Sequence, residues 1–84
     1  MDLSQAILTE HALQQMAKRQ VTAVDVRRVL AAPEQVLEVR AGRVVAQGIV
    51  GGYLLRVFTD VDRIPAEVVT VYRTSKIDKY RSEP

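Results

Sequence analysis

Apolar residues recur at the spacing of two short amphipathic helices in the first third of the chain. The two stripes consist of Leu13, Met16 and Ala17, then Val26, Val29 and Leu30. Thr9 and Thr22 are placed to cap the two helices, and Pro33 ends the second. The pattern therefore predicts two neighbouring helices that each bury one side against another layer.

The middle and end of the chain are typical of β-strands. Runs rich in β-branched and aromatic residues predict strands at 36–40, 43–49, 53–59 and 68–72. Ala41-Gly42 and Gly51-Gly52 suit tight hairpin turns, and Pro65 stands just before the last strand, where a missing amide does least harm. We expect four antiparallel strands whose register is set by these turns.

A short basic and aromatic helix is predicted after the last strand. Ser75 with Asp78 three residues on is a variant of the capping box, so the helix covers 76–80. Lys76 and Tyr80 then share one face, with Lys79 beside them. Residues 2–8 are too few to predict an element, although Ile7 and Leu8 are expected to enter the core. The predicted fold is α+β, with two N-terminal helices packed on a four-stranded antiparallel sheet and a short C-terminal helix.

Alternation along the strands predicts which residues share a face of the sheet. The expected helix-covered face carries Leu37, Val39, Tyr53, Leu55, Val57, Val69 and Val71. The expected opposite face carries Glu38, Arg40, Leu54, Arg56, Phe58, Thr70 and Tyr72. Because Leu54 and Phe58 are apolar, we expect cover for them from the C-terminal segment, the first helix or a second subunit.

Composition narrows the class of protein. The 84 residues are expected to form one domain over 1–84, and the lack of cysteine excludes a disulfide framework and thiolate metal sites. No signal peptide or membrane-spanning run is found, so a cytoplasmic protein is expected. Asp60 and Asp62 are typical of a loop turn, and we predict neither a metal site nor a cofactor. The net charge of +2 is mild, but four basic residues lie between Arg73 and Arg81 against one acid.

Three stretches of the chain resemble a known family. They are the residues Thr9-Glu10-His11-Ala12-Leu13 with Met16 and Arg19, then 54–57, and then the motif from Thr70 to Tyr80. They resemble a family of short bacterial proteins classified only as a domain of unknown function, which looks like a relative of the RelE, ParE and BrnT toxins. The resemblance implies a RelE-like fold and a toxin-like RNA-interacting protein, for example a metal-independent ribonuclease bound by an antitoxin. Gln15 stands where the family pattern has arginine, and Gln20 where a glycine commonly ends the first helix.

Candidate site residues follow from the chemistry of RNA cleavage, which needs a base, an acid and cations for the phosphate. Arg56 interrupts an apolar strand with a charge, so it is either a phosphate ligand or the partner of Glu38 in an ion pair. The other cations expected to hold phosphate, or otherwise to form a solvated basic terminus, are Arg73, Lys76 and Lys79.

The candidates for proton transfer are His11, Tyr72 and Tyr80. His11 is alternatively a surface or capping residue, and the tyrosines are alternatively edges of the core. The competing function is a non-catalytic module that forms a homodimer through Leu54 and Phe58. The catalytic hypothesis requires Arg56, Lys76 and Tyr80 to lie on the same side of the sheet.

Overall fold

The computed structural model describes residues 2–81, so residues 1 and 82–84 of the expected single domain lie outside the described range. Across these described residues, three helices and five strands follow one another. They are β1 (Ile7–Leu8), α1 (Glu10–Lys18), α2 (Ala23–Ala31), β2 (Gln35–Arg40), β3 (Arg43–Val50), β4 (Tyr53–Asp60), β5 (Glu67–Thr74) and α3 (Ile77–Arg81). The strands form one sheet in the order β1-β5-β4-β3-β2. The α+β class is therefore confirmed.

The prediction of a four-stranded antiparallel sheet is wrong in one respect, because β1 adds a fifth strand. Ile7 and Leu8 pair in parallel with Glu67 and Val68, which makes the sheet mixed. The amide of Ile7 donates to the carbonyl of Ala66 at 2.8 Å. Ile7 does not enter the core, since its side chain is 47% exposed. Leu8 is partly buried and packs against the core. Two residues show no alternation, so this strand leaves no pattern to read.

The two long helices begin where the sequence predicts. The hydroxyl oxygens of Thr9 and Thr22 accept hydrogen bonds from the amides three residues on, at 3.1 Å in both cases. The second predicted stripe is buried throughout. In α1, Met16 of the predicted stripe is buried, but Leu13 and Ala17 are exposed. The other buried residue of this helix is Ala12.

The glycine hairpin turns set the register of two of the three antiparallel pairings, β2 with β3 and β3 with β4. Gly42, Gly51 and Gly52 all have positive φ, at 82°, 59° and 84°. A side chain at Gly42 would also collide with Asp62, whose Oδ2 lies 2.9 Å from where a Cβ would be. These turns place Val50 opposite Tyr53 and therefore Gln47 opposite Arg56.

The helices α1 and α2 pack against one face of the sheet, and we call the other face the open face. Leu55, Val57 and Val71 lie in the core beneath the helices, as predicted. Leu54, Arg56 and Phe58 lie on the open face, as predicted. Their partners on β5 share that face and are, in the same order, Thr74, Tyr72 and Thr70.

Three assignments to the faces are wrong. Leu37 pairs with Val45 and lies on the open face, whereas Glu38 pairs with the core residue Val44 and lies on the helix side. Val68 replaces Val69 in the core. A register shift between Phe58 and Thr59 causes the last error, because one extra residue changes the phase of the alternation.

The C-terminal segment supplies cover for the open face, one of the three sources expected. The helix α3 packs against β4, and Leu54 is fully buried. This helix begins one residue later than predicted, and the hydroxyl of Thr74 accepts from the amide of Lys76 just before it, at 3.0 Å. Within residues 2–81, no helix is long and apolar enough to cross a membrane.

Candidate functional site

Arg56 lies half-buried on the open face and is enclosed by aromatic rings. Its Cζ atom is 4.3 Å from the ring centroid of Tyr80, 5.4 Å from that of Phe58 and 5.7 Å from that of Tyr72. Phe58 and Tyr72 stack on each other with centroids 5.9 Å apart. The guanidinium is thus held by cation–π contacts from three sides. We call Gln47, Arg56, Phe58, Tyr72 and Tyr80 the Arg56 cluster.

Gln47 is the buried centre of this cluster. It is 0% exposed, and its Oε1 atom accepts from Nε of Arg56 at 2.9 Å. Its Nε2 atom donates to Oε1 of Gln35 at 2.7 Å and to the backbone carbonyl of Tyr80 at 3.1 Å. The last bond ties α3 to the sheet, so Gln47 fixes both the cation and the helix that covers it.

Four paired residues form a polar row across the sheet. Gln35 is opposite Gln47, Gln47 is opposite Arg56, and Arg56 is opposite Tyr72. Directly opposed side chains in a sheet are close enough to interact, which explains the chain of contacts between them. Neighbouring strands therefore deliver these side chains to one place.

A chain of hydrogen bonds leads from the cation to a phenol. Nη1 of Arg56 donates to the hydroxyl oxygen of Tyr72 at 2.7 Å. Since that oxygen accepts from Arg56, the O–H of Tyr72 is available to Tyr80. The hydrogen bond from Tyr72, with the nearby charges of Lys79 and Arg56, lowers the pKa of Tyr80 below its ordinary value of 10.0. The Tyr80 phenol therefore gives up its proton more readily than a free tyrosine.

No carboxylate neutralises Arg56 within the described part of the chain. The ion pair with Glu38 considered from the sequence is absent there, since Glu38 lies on the helix side of the sheet. The polar partners of Arg56 are the neutral side chains of Gln47 and Tyr72. Within residues 2–81, no acidic side chain therefore offsets the positive charge of this cluster.

The structure brings together part of the predicted site. Arg56, Tyr72 and Tyr80 are in contact, and Nζ of Lys79 lies 5.3 Å from the ring centroid of Tyr80. Lys76 is exposed and lies immediately before α3. The catalytic hypothesis requires Arg56, Lys76 and Tyr80 on one side of the sheet; the structure brings Arg56 and Tyr80 into contact there, and no contact between described residues ties Lys76 to them.

Two predicted residues lie elsewhere. His11 is exposed on α1, which packs on the opposite face of the sheet from Arg56. Arg73 is opposite Leu55 on the helix side, where its Cζ atom lies 4.5 Å from the ring centroid of Tyr53. Neither side chain contributes to the Arg56 cluster.

Sequence reasoning missed Gln47 and Gln35. A glutamine in the run Val44-Val45-Ala46 is as unexpected in a buried strand as Arg56 in the next one. The Gly51-Gly52 turn already implied that Gln47 and Arg56 are opposite each other. The missed signal was thus two polar residues at directly opposite positions in adjacent apolar strands.

Asp60 and Asp62 have a structural role at the far end of the sheet. Oδ1 of Asp60 accepts from Nε of Arg43 at 2.6 Å, and this bond holds the pKa of the Asp60 carboxyl below its ordinary value. Oδ1 of Asp62 accepts from Nε of Arg63 at 3.1 Å. Among the described residues, no group of three or more histidine or acidic side chains is arranged to hold a metal ion.

The chain belongs to the family described as "Domain of unknown function (DUF4258)", whose pattern matches residues 8–73. The expected membership of an uncharacterised family of small domains is thereby confirmed. No curated protein and no solved structure gave a significant match. The relationship to RelE, ParE and BrnT toxins stays a prediction. The matched range contains Arg56 and Tyr72 and ends before α3, which carries Tyr80.

Proposed function

We propose that this chain is a toxin-like protein that binds single-stranded RNA on its open face, through the Arg56 cluster and Lys79. The observation that carries this proposal is the guanidinium of Arg56, which has three aromatic neighbours and no acidic partner among the described residues. Holding an unpaired cation in a half-buried position costs free energy. Binding of an anion to that cation is therefore favourable.

The chemistry of the patch suits RNA better than a folded protein partner. Single-stranded nucleic acids are held by cations on the phosphates and by bases stacked on aromatic rings. Phe58, Tyr72 and Tyr80 supply rings that are each partly exposed, and Lys79 adds a second positive charge beside Tyr80. Stacking on one such ring contributes about 1–3 kcal/mol per base.

A metal-independent cleavage reaction is the finer form of this proposal. The lowered pKa of Tyr80 suits its phenolate to take the proton of a ribose 2′-hydroxyl, while Arg56 stabilises charge on the attacked phosphate. The 2′-oxygen bonds to phosphorus as the bond from phosphorus to the 5′-oxygen breaks, and the leaving 5′-oxygen takes a proton from Tyr80 or from water. Tyr72 then acts as a positioning residue, since it joins Arg56 to Tyr80. His11, on the other side of the sheet, has no part in this version of the site.

RNA binding can be tested with a labelled single-stranded oligoribonucleotide and fluorescence anisotropy. Arg56→Lys keeps the charge but loses the planar stacking and the paired donors, and Lys79→Gln removes the second cation. We expect each variant to weaken binding about three- to tenfold. Arg28→Gln, which removes an exposed cation from α2, is the matched control. Equal affinities for the wild type, Arg56→Lys and Lys79→Gln would contradict the proposal.

Cleavage requires a separate assay on single-stranded and ribosome-bound RNA. Tyr80→Phe removes only the reactive hydroxyl, and it should abolish cleavage while retaining most of the binding through stacking. If Tyr80→Phe and wild type cleave at the same rate, the phenol is not the base. If the wild type binds RNA but cleaves none, the protein binds without catalysis.

A non-catalytic homodimer is the second candidate. Leu54 no longer favours it, because the monomer already buries that residue completely. The observation in its favour is edge strand β2, where Val36 and Val39 are 39% and 48% exposed. Light scattering distinguishes the two states, and a monomer would exclude this candidate. An antitoxin partner stays a prediction that co-purification with the product of a neighbouring gene would test.

A further inference from the structure

A second basic site lies where the end of α1 meets the outer edge of β5, and it has Tyr72 in common with the Arg56 cluster. A cavity of about 440 Å³ opens there to solvent. Its lining residues are Lys18, Arg19, Gln20, Tyr72 and Arg73. We call it the Arg73 pocket. It is a broad, open depression rather than an enclosed cavity, so a ligand bound there would stay partly in water.

Three cations and no acid line the Arg73 pocket. None of Lys18, Arg19 and Arg73 forms a salt bridge within the part of the chain that the structure describes. Asp25 borders a smaller cavity next to Arg73, but its carboxylate is 4.0 Å from Arg28. Like charges brought together repel, and the repulsion is relieved when an anion lies between them.

Two of the cations are fixed before any ligand arrives. Nη1 of Arg19 donates to the carbonyl of Val71 on β5 at 2.9 Å. The guanidinium of Arg73 is stacked on the ring of Tyr53. Each arginine keeps further N–H groups for a ligand, and a pre-ordered donor loses less entropy on binding.

Capping of α1 does not account for these side chains. The amide of Val21 donates to the carbonyl of Met16 at 2.9 Å, and the amide of Gln20 donates to that of Ala17. These two bonds form a Schellman motif, so backbone amides already satisfy the last carbonyls. Cations at a helix C-terminus still interact favourably with its dipole, but Arg73 belongs to another element.

We propose that the Arg73 pocket binds a phosphate group. Phosphate matches the site because arginine donors engage its oxygens in pairs, while lysine adds a mobile charge. The cavity has room for a group attached to the phosphate, so a nucleotide fits as well as the free ion. The pocket and the Arg56 cluster share Tyr72, but the cations proposed to hold the phosphate, Lys18, Arg19 and Arg73, all lie outside that cluster.

Amide chemical shifts of the ¹⁵N-labelled protein provide the test, with inorganic phosphate as the first probe at constant ionic strength. We expect saturable shifts at the amides of Gln20 and Arg73. Lys18→Gln and Arg73→Gln should each weaken binding by roughly tenfold. Arg40→Gln, which removes an exposed cation from β2, should leave it unchanged. An unchanged urea midpoint for Lys18→Gln separates lost binding from lost folding.

Two further probes identify the source of the phosphate. A nucleoside 5′-monophosphate carries a terminal group, whereas an oligoribonucleotide with hydroxyl ends carries only backbone phosphates. Because Arg73 follows Tyr72 in the chain, RNA on the open face can also shift its amide, so the pocket is monitored at Gln20, with Lys18→Gln expected to remove the shift. Shifts at Gln20 with the monophosphate alone assign a terminal-phosphate site, and shifts with both probes assign a backbone-phosphate site. The absence of saturable shifts with all three probes, or an equal loss in Arg40→Gln, would overturn the proposal. Arg56→Lys should weaken RNA binding and leave phosphate binding intact. Failure of the RNA proposal can therefore be distinguished from failure of the phosphate proposal.

Discussion

Replacement of Gln47 by methionine is the sharpest test of the Arg56 cluster. Methionine has the same length and no branch, so Gln47→Met fills the buried space without opening a cavity. The substitution removes the acceptor for Arg56 and the donor for Gln35 and for the carbonyl of Tyr80. It therefore deletes the polar centre and leaves the fold otherwise complete.

The expected cost follows from these three hydrogen bonds. A typical one contributes about 1 kcal/mol net, and one to a charged group about 1.5–3 kcal/mol. Gln35 and Tyr80 are half-exposed, so water satisfies part of what they lose, and burial of the methionine side chain offsets some of the rest. We expect a net loss of about 2–3 kcal/mol, from a total of roughly 4–13 kcal/mol for a domain of 84 residues.

Urea unfolding monitored by circular dichroism measures this change. The midpoint should fall with little change in slope, and the melting temperature should drop by about 10–20 °C. Gln14→Met on the exposed side of α1 is the control, and it should stay within about 0.5 kcal/mol of the wild type. A loss below about 1 kcal/mol for Gln47→Met would show that the three bonds contribute little.

Three further substitutions test separate features. Gln20 has a φ of 57° in the Schellman motif, so Gln20→Gly should raise the free energy of unfolding by about 0.5–1 kcal/mol in urea titrations. Tyr72→Phe removes the donor that lowers the pKa of Tyr80, so the pKa seen by near-ultraviolet absorbance should rise towards 10.0. Asp60 has a depressed pKa in the folded state, so its contribution to stability is full above 3.8 and is lost as pH falls through the folded value. Asp60→Asn should therefore be less stable near neutral pH, and its stability should depend less on pH in acid.

Each of these expectations has a clear contrary result. Destabilisation by Gln20→Gly would show that glutamine is not strained at position 20. Gln14→Gly in the interior of α1 is the control, and it should lower the free energy of unfolding. An unchanged titration in Tyr72→Phe would assign the shift of Tyr80 to Lys79. Parallel stability curves for wild type and Asp60→Asn below pH 5 would mean that Asp60 does not titrate with folding.

Much of the fold was predictable because local chemistry determines it. Threonine caps, the stop at Pro33 and the glycine turns each act over a few residues, and the structure has them where the sequence places them. The errors came from long-range or irregular features. The strand β1 exists only because β5 accepts it, and the register shift near Phe58 moves Val69 out of the core.

The site was predicted in part for the same reason. Arg56 and Tyr72 were assigned to one face by alternation, and Tyr80 was placed at the end of the last helix. Gln47 was overlooked because glutamine carries no charge to attract notice. Arg73 was grouped with the other cations by its distance along the sequence, although the alternation of β5 places it on the opposite face from Tyr72.

The parallel pairing of β1 with β5 has a consequence for synthesis of the protein. The hydroxyl of Thr9 donates to the carbonyl of Val68, a contact that spans 59 residues, and Arg19 reaches the same strand across 52. These contacts with β5 therefore form only after residues 68–71 have been synthesised, whereas Arg27 on α2 can donate to the carbonyl of Ala6 earlier. The long loops that these contacts close cost entropy, so we expect the contacts to form late in folding.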